Sequence, residues 1–450
     1  MIPKLSLNKL IDICCITLIA LIFLCKISLK WTKVIPYSIT PFIFQYGLHP
    51  YINFGLQFLI SLILITAWIK KEHTVKLSPI YKTYIYSLIA VLTIQTLFQI
   101  TLVNIGNSVL IQIAGLGMAI LLILLYGIVI PTLFDLKKFV SYTTQISVFL
   151  VITSFLCLPL FLGEMFRGGR FTGFFKHIPH MVSATTAAFI FFFPNLFNDK
   201  KWTLKNNTPL KLIAILVLGL SVLLTSTKAA FGTIAITTFV GIFLFGSKKR
   251  AVRLFKFSFL SCFLVSTLLI GAPTTEFMYN VTTGKTSFGL RKAQDGVETR
   301  MEEVTRGWSM FEKSPYFGLG LLYKFLNNKE EGIEVESYNS FKDPHNLFVS
   351  AAVIGGYPLF VYAIFGYVMM IFGAIKGLNQ DDPNIQVLGL FLLSHLPVFV
   401  IYHAHFSLGG MADRIYWLVF GYLGIQFPQR YPVKSVFLEN NTLTLSKESF

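Results

Sequence analysis

Every second gap between the apolar runs of this chain is short and basic. "IKKEHTVK" follows the second run, "DLKK" the fourth, "NDKKWTLKNN" the sixth and "GSKKRAVR" the eighth. A membrane-crossing helix needs about 20 mostly apolar residues. Runs of that kind lie near 8–26, 51–69, 82–103, 109–134, 139–162, 179–196, 209–225, 228–246, 253–271, 346–375, 385–402 and 411–427. Lys and Arg collect in cytoplasmic loops, so the alternation fixes both a count of twelve and an orientation. The basic gaps, the N-terminus and the C-terminal tail fall on the cytoplasmic side. The expected fold is all-α: a polytopic integral membrane protein of about twelve transmembrane helices. Losing one span before residue 246 would break the alternation.

Composition agrees with that reading. Charged residues make up 13% and the mean hydropathy is +0.67, against about 25% charged residues in soluble domains. The net charge of +17 follows from the basic loops and does not call for a nucleic-acid partner. The five cysteines, Cys14, Cys15, Cys25, Cys157 and Cys262, sit in or beside apolar runs without zinc-type spacing, which reads as packing. No small-residue cleavage site follows the first run, so it is expected to stay as a span. The chain divides into 1–271 (nine spans), 272–345 (one large outer loop) and 346–450 (three spans and a tail). Gln95 and Gln99 in the third span are expected to face the bundle.

The outer loop holds eleven acidic residues of the chain's 21, which leaves it nearly neutral. Within it, "VETRMEEVTRGWSMFEKSP" places Val297, Met301, Val304, Trp308 and Phe311 at steps of three and four, an amphipathic helix. Pro315 and the glycines of "PYFGLG" end it. "KDPHNLF" then brings His345 and Asn346 to the mouth of the tenth span.

The topology gathers several cations outside, where positive-inside sorting does not put idle ones. They are Arg167 and Arg170, Lys228 between spans seven and eight, Arg300 and Arg306 in the large loop, and Arg414, with His345, His403 and His405. Charges close to the membrane core are costly and usually functional. The ordinary alternatives are snorkelling for Lys228 and Arg414, and capping or packing for Arg170, Arg300 and His345. Arg grips phosphate oxygens through paired hydrogen bonds and Lys adds a point charge. A histidine moves a proton near neutral pH, and fixed cations stabilise a departing phosphate. The set suits a polyanionic headgroup at the outer surface, handled without a metal or other cofactor.

Several stretches together resemble the O-antigen ligase and polymerase family. "RMEEVTRGWSMFEKSPYFGLG" is similar to the family's arginine-led helix and Pro-x-x-Gly-x-Gly turn, here Pro315, Gly318 and Gly320. "PHNLF" is similar to its His-Asn-Leu signature, with Gly355 and Gly356 following. "RFTG" (Arg170 to Gly173) resembles an earlier Arg-x-x-Gly element, and "LLTSTKAAFGTI" a helix start with Lys228 where arginine is usual.

The resemblance implies a GT-C-like glycosyltransferase that takes a glycan from undecaprenyl pyrophosphate on the periplasmic face of the inner membrane. Arg170, Lys228 and Arg300 would bind pyrophosphate. Lysine at 228 keeps the charge but gives up bidentate binding. His345 would activate or position the acceptor hydroxyl, with Arg300 beside it. Asn346 would cap or orient, and Arg306, His405 and Arg414 would support.

A single large outer loop favours a ligase, with lipid A–core as acceptor, over a polymerase. A protein O-oligosaccharyltransferase is a third reading. A lipid-linked glycan transporter is the alternative outside the enzymes. Membrane lipids and other O-antigen assembly proteins are the remaining expected partners.

Overall fold

The computed structural model describes residues 6–24, 27, 50–70, 77–102, 109–159, 165–167, 170–175, 178–196, 208–225, 227–245, 291–321, 344, 346–402 and 411–426. Eleven of the twelve expected runs coincide with a helix; the ninth, 253–271, lies outside these residues. The helices are α1 (Leu7–Leu24), α2 (Pro50–Lys70) and α3 (Pro79–Leu102), then α4, which runs Val109–Leu124, a π-helical turn Leu125–Val129, and Ile130–Leu133. They continue as α5 (Leu136–Leu156), α6 (Ile178–Phe192), α7 (Thr208–Leu224) and α8 (Lys228–Phe245). The loop helix is α9 (Arg291–Lys313), and α10 (Leu347–Leu378), α11 (Pro383–Tyr402) and α12 (Met411–Gln426) complete the set.

Among the described residues, five helical stretches are long and apolar enough to cross a membrane: Leu7–Leu24, Pro79–Thr101, Gln112–Leu133, Leu136–Leu156 and Leu347–Leu378. The protein is an all-α polytopic membrane protein. One departure is a two-stranded antiparallel hairpin, β1 (Phe166–Arg167) and β2 (Arg170–Phe171), with residues 167 and 170 in register.

Ends that the charge pattern puts on one side meet in space. At the end bearing the basic loops, Lys138 Nζ of α5 pairs with Asp12 Oδ2 of α1 at 2.5 Å, and the Ser78 N–H before α3 donates to Gly424 O of α12 at 3.0 Å. At the opposite end, Arg414 of α12 donates through Nη1 to Gln57 Oε1 of α2 at 3.0 Å.

Lipid offers helices no hydrophobic reason to associate, so close packing and interhelical hydrogen bonds must hold them. Small residues supply the packing. A Cβ built on Gly424 would fall 2.5 Å from the Tyr81 ring, and one on Gly389 would fall 2.7 Å from Leu378 N. Hydroxyls supply bonds: Thr237 Oγ1 of α8 donates to Ser394 Oγ of α11 at 2.9 Å.

Candidate active site

The tenth span was expected as one helix, but α10 is broken. Gly355 (φ −133°, ψ 20°) and Gly356 (φ 64°, ψ −159°) leave helical geometry, and Pro358 follows. Proline has no N–H, so it strips Ile354 O of its helical donor four residues on. In hydrocarbon such a carbonyl must be satisfied by protein. The turn after α9 does this.

The Gly320 N–H donates to Ile354 O at 2.9 Å, and the Leu319 N–H donates to Val353 O at 2.7 Å. The Tyr357 N–H, which an unbroken helix would give to Val353 O, goes to Pro315 O at 2.8 Å. Two helix bonds are thereby exchanged for three bonds between the segment 315–320 and α10. Gly356 occupies a region of backbone space essentially closed to other residues, and a Cβ there would sit 2.5 Å from Pro315 O. Gly318 is also left-handed (φ 70°) and lies against Ile354 and Gly355. The turn glycines therefore serve this docking.

The same contact positions α9. A Cβ built on Gly307 would fall 2.6 Å from Pro344 Cβ and 2.7 Å from Val349 Cγ1, so α9 lies directly on the entrance to α10. Met310 and Phe311 are buried beside Gly307, and the Phe311 ring meets Tyr357 edge-on at 4.9 Å. The expected stripe is shifted as a result. Trp308 is 41% exposed, at the rim of the contact, with its ring 6.3 Å from that of Phe360. The backbones approach at Gly307, and that rotates α9 about its axis.

Residue 300 is seven positions before Gly307, on the same helical face by spacing. Asn346 caps α10: its Oδ1 accepts from the N–H groups of Phe348 at 3.0 Å and Val349 at 3.1 Å. This satisfies two donors at a helix start and fixes the chain one residue after His345. His345 itself, like His403 and His405, lies outside the described residues.

A second group forms at the outer ends of α5 to α8. The hairpin carrying Arg170 is tied down by the Thr172 N–H, which donates to Met165 O at 2.7 Å, and by the Phe174 N–H, which donates to Ser154 Oγ of α5 at 3.3 Å. Phe171 is fully buried. β2 packs against α6 and α7, and Lys228 opens α8 three residues after Thr225 ends the α7 side. α8 then packs on α11 and α11 on α10. β2 and α8 thus both pack on α7, while α9 meets the start of α10 at Gly307 and Val349, and α11 joins α8 to α10.

Residues 213–364 match the family model described as O-antigen ligase. Over that stretch the chain is similar to the O-antigen ligase family. No curated protein matches the chain. The matched stretch contains Lys228, Arg300, Arg306, His345, Asn346, all of α9 and the turn, and α10 as far as residue 364, beyond its break. Arg170, His405 and Arg414 lie outside it.

Arg414 is placed apart from α9. Its hydrogen bond to Gln57 links α12 to α2, so its observed partner is another helix of the bundle.

Two buried polar residues beside the O-antigen ligase domain went unassigned a role in the sequence. Gln99 of α3, 3% exposed, donates through Nε2 to Phe317 O at 2.5 Å and to Ile354 O at 2.9 Å. Gln112 of α4, 4% exposed, lies against Gly320. Gln95 faces inward as expected, at 6% exposure. It lines a groove of about 420 Å³ with Ile94 and Phe98 of α3, Tyr316 and Phe317 of the turn, and Pro358. Their place in a span, expected to face the bundle, was the signal for Gln95 and Gln99, and Gln112 was not singled out.

Proposed function

We propose that this protein is an O-antigen ligase. It takes a glycan from undecaprenyl pyrophosphate and passes it to lipid A–core at the periplasmic face of a bacterial inner membrane, with both termini cytoplasmic. The observation that carries the reading is the docking of α9, inside the matched domain, on the entrance to α10. It sets the helix bearing Arg300 and Arg306 against the segment bearing His345 and Asn346.

In this reading Arg170, Lys228 and Arg300 hold the pyrophosphate, and no cofactor or metal takes part. The acceptor hydroxyl oxygen forms a bond to the anomeric carbon of the glycan. The bond from that carbon to the pyrophosphate oxygen breaks, and its electron pair leaves with the pyrophosphate. His345 takes the hydroxyl proton, and the fixed cations stabilise the charge that develops on the leaving group. The apolar groove beside the turn suits the hydrocarbon of a lipid-linked donor. A ligase is favoured over a polymerase because the connection after α5 includes a tight hairpin, which leaves one large outer loop.

The test is a gel of lipopolysaccharide from a deletion strain complemented with wild type, His345→Ala or Arg300→Ala. The expected result is core without O-chain in the deletion, accumulation of long lipid-linked glycan, and no restoration by either variant although both reach the membrane. Core bearing a single repeat unit would mean a polymerase. Unchanged lipopolysaccharide would overturn both and point to a glycosylated protein or a transported substrate.

A further inference from the structure

We infer that Gln99 is a positioning residue for glycan transfer: its amide clamps the Pro315–Gly320 turn into the break of α10 and so sets where α9 meets the His345 segment. The role in transfer rests on the functional reading above; the clamp stands on geometry alone.

The junction brings together Ile354 O of the break, which the Gly320 N–H already reaches, and Phe317 O of the turn. Ile354 O has lost its helical partner to Pro358, and one amide nitrogen, Gln99 Nε2, reaches both oxygens, at 2.9 and 2.5 Å. Those oxygens belong to segments 218 and 255 residues away in the chain. Gln99 is therefore the third body at a junction of turn and helix. Beside it in α3, Leu97 is 56% exposed, and Phe98, 41% exposed, sets its ring 5.0 Å from that of Phe317. Only the side facing the junction carries the amide. A buried amide costs free energy unless it is bonded, and an apolar residue of the same length would fill this place more cheaply if packing were its only duty.

The consequence reaches the site through short, stiff links. Gly318 and Gly320 follow Phe317 directly, and α9 ends at Lys313, just before the turn. Freeing Phe317 O lets the turn rise out of the break, and α9 moves with it. A displacement of about 1 Å at reacting groups costs roughly 100-fold in rate. Of the three residues read as holding the donor, Arg170 and Lys228, across α8 and α11, are left as they were, and only Arg300 moves with α9.

Two measurements on the full-length protein in vesicles test this. The first is the rate at which a short bis-methanethiosulfonate reagent, each end losing methanesulfinate to a cysteine thiolate, joins Tyr316→Cys to Tyr357→Cys, whose rings lie 6.1 Å apart across the junction and are 68% and 50% exposed. With Gln99→Met, which keeps length and removes the donor, this rate should fall several-fold. The second is transfer from undecaprenyl-pyrophosphate glycan to lipid A–core. Here kcat should fall at least about tenfold, and by more than KM for the donor rises.

Should Gln99→Met not fold, Gln99→Asn withdraws the same amide by one methylene and is read the same way. An unchanged cross-linking rate overturns the clamp. A slower cross-link with unchanged kcat, or a loss seen only in KM, overturns the positioning role. If wild type transfers no glycan, the functional reading fails, and the cross-link still decides whether Gln99 holds the turn.

Discussion

In two of the helices with an internal proline, α4 and α10, the carbonyl it orphans is satisfied in different ways. In α4, Pro131 strips Gly127 O of its helical donor. The helix widens into the π turn, the Ile130 N–H reaches back to Leu125 O, and Tyr81 Oη of α3 donates to Gly127 O at 2.9 Å. Gly421 of α12 closes against Gly127 O so tightly that a Cβ would fall 2.5 Å away. In α10, Pro358 strips Ile354 O, and the donors are Gly320 N–H and the Gln99 amide. The first solution uses neighbouring spans and is sealed in the core. The second uses the backbone of the outer loop, joining the loop helix to the span that follows His345. The same defect is a packing device at one end of the bundle and a mount for the candidate site at the other.

That contrast is broken most severely at Gly356. Alanine there meets a nearly closed backbone region and the Pro315 carbonyl. The expected loss is about 3 kcal/mol of stability with transfer reduced at least about 100-fold, read by melting in detergent and by the transfer assay. A Gly356→Ala protein with wild-type transfer would show that the docking is dispensable.

Tyr81→Phe probes the other end. It leaves Gly127 O without its donor, which should cost about 1–3 kcal/mol. The melting temperature falls while kcat stays within about twofold, because Tyr81 and Gly127 lie at the far ends of α3 and α4 from Gln99 and Gln112. A matching fall in kcat would erase the distinction between the two ends.

Asn346→Ala should cost about 1 kcal/mol through the lost cap and should lower transfer as well. Asn346→Asp keeps an acceptor for both N–H groups and should restore stability. If Asp restores stability but not transfer, Asn346 has a duty beyond capping.

The smallest effect is expected for Lys138→Met. The Lys138–Asp12 pair is a surface contact at the basic-loop end, with side chains 48% and 33% exposed, and such pairs contribute little. Neither melting nor transfer should change measurably.

Much of the architecture was legible because membrane spans are written in local composition. Apolar run length and alternating basic loops placed eleven runs where helices are found, and period-three-and-four spacing found α9. The features that mount the site were not local. "GGYPLF" reads as a tolerated interruption in a span, and its meaning needs a turn some 35 residues earlier to dock there. Gln99 could be read as inward-facing, but its two carbonyl partners come from distant segments. Trp308 fits the apolar stripe, yet the backbone approach at Gly307 turns it to the rim. The hairpin around Arg170 rests on bonds to Met165 and Ser154 that no periodicity announces. The arginine and histidine candidates were visible from sidedness and motif resemblance, and the contact of α9 with the start of α10 at Gly307 and Val349 was not.

The most direct test is transfer by purified protein in vesicles supplied with undecaprenyl-pyrophosphate glycan and lipid A–core. The account predicts one glycosylated core formed per undecaprenyl pyrophosphate released, with Arg300→Ala and His345→Ala each losing both products. Equal product from wild type and both variants would contradict it.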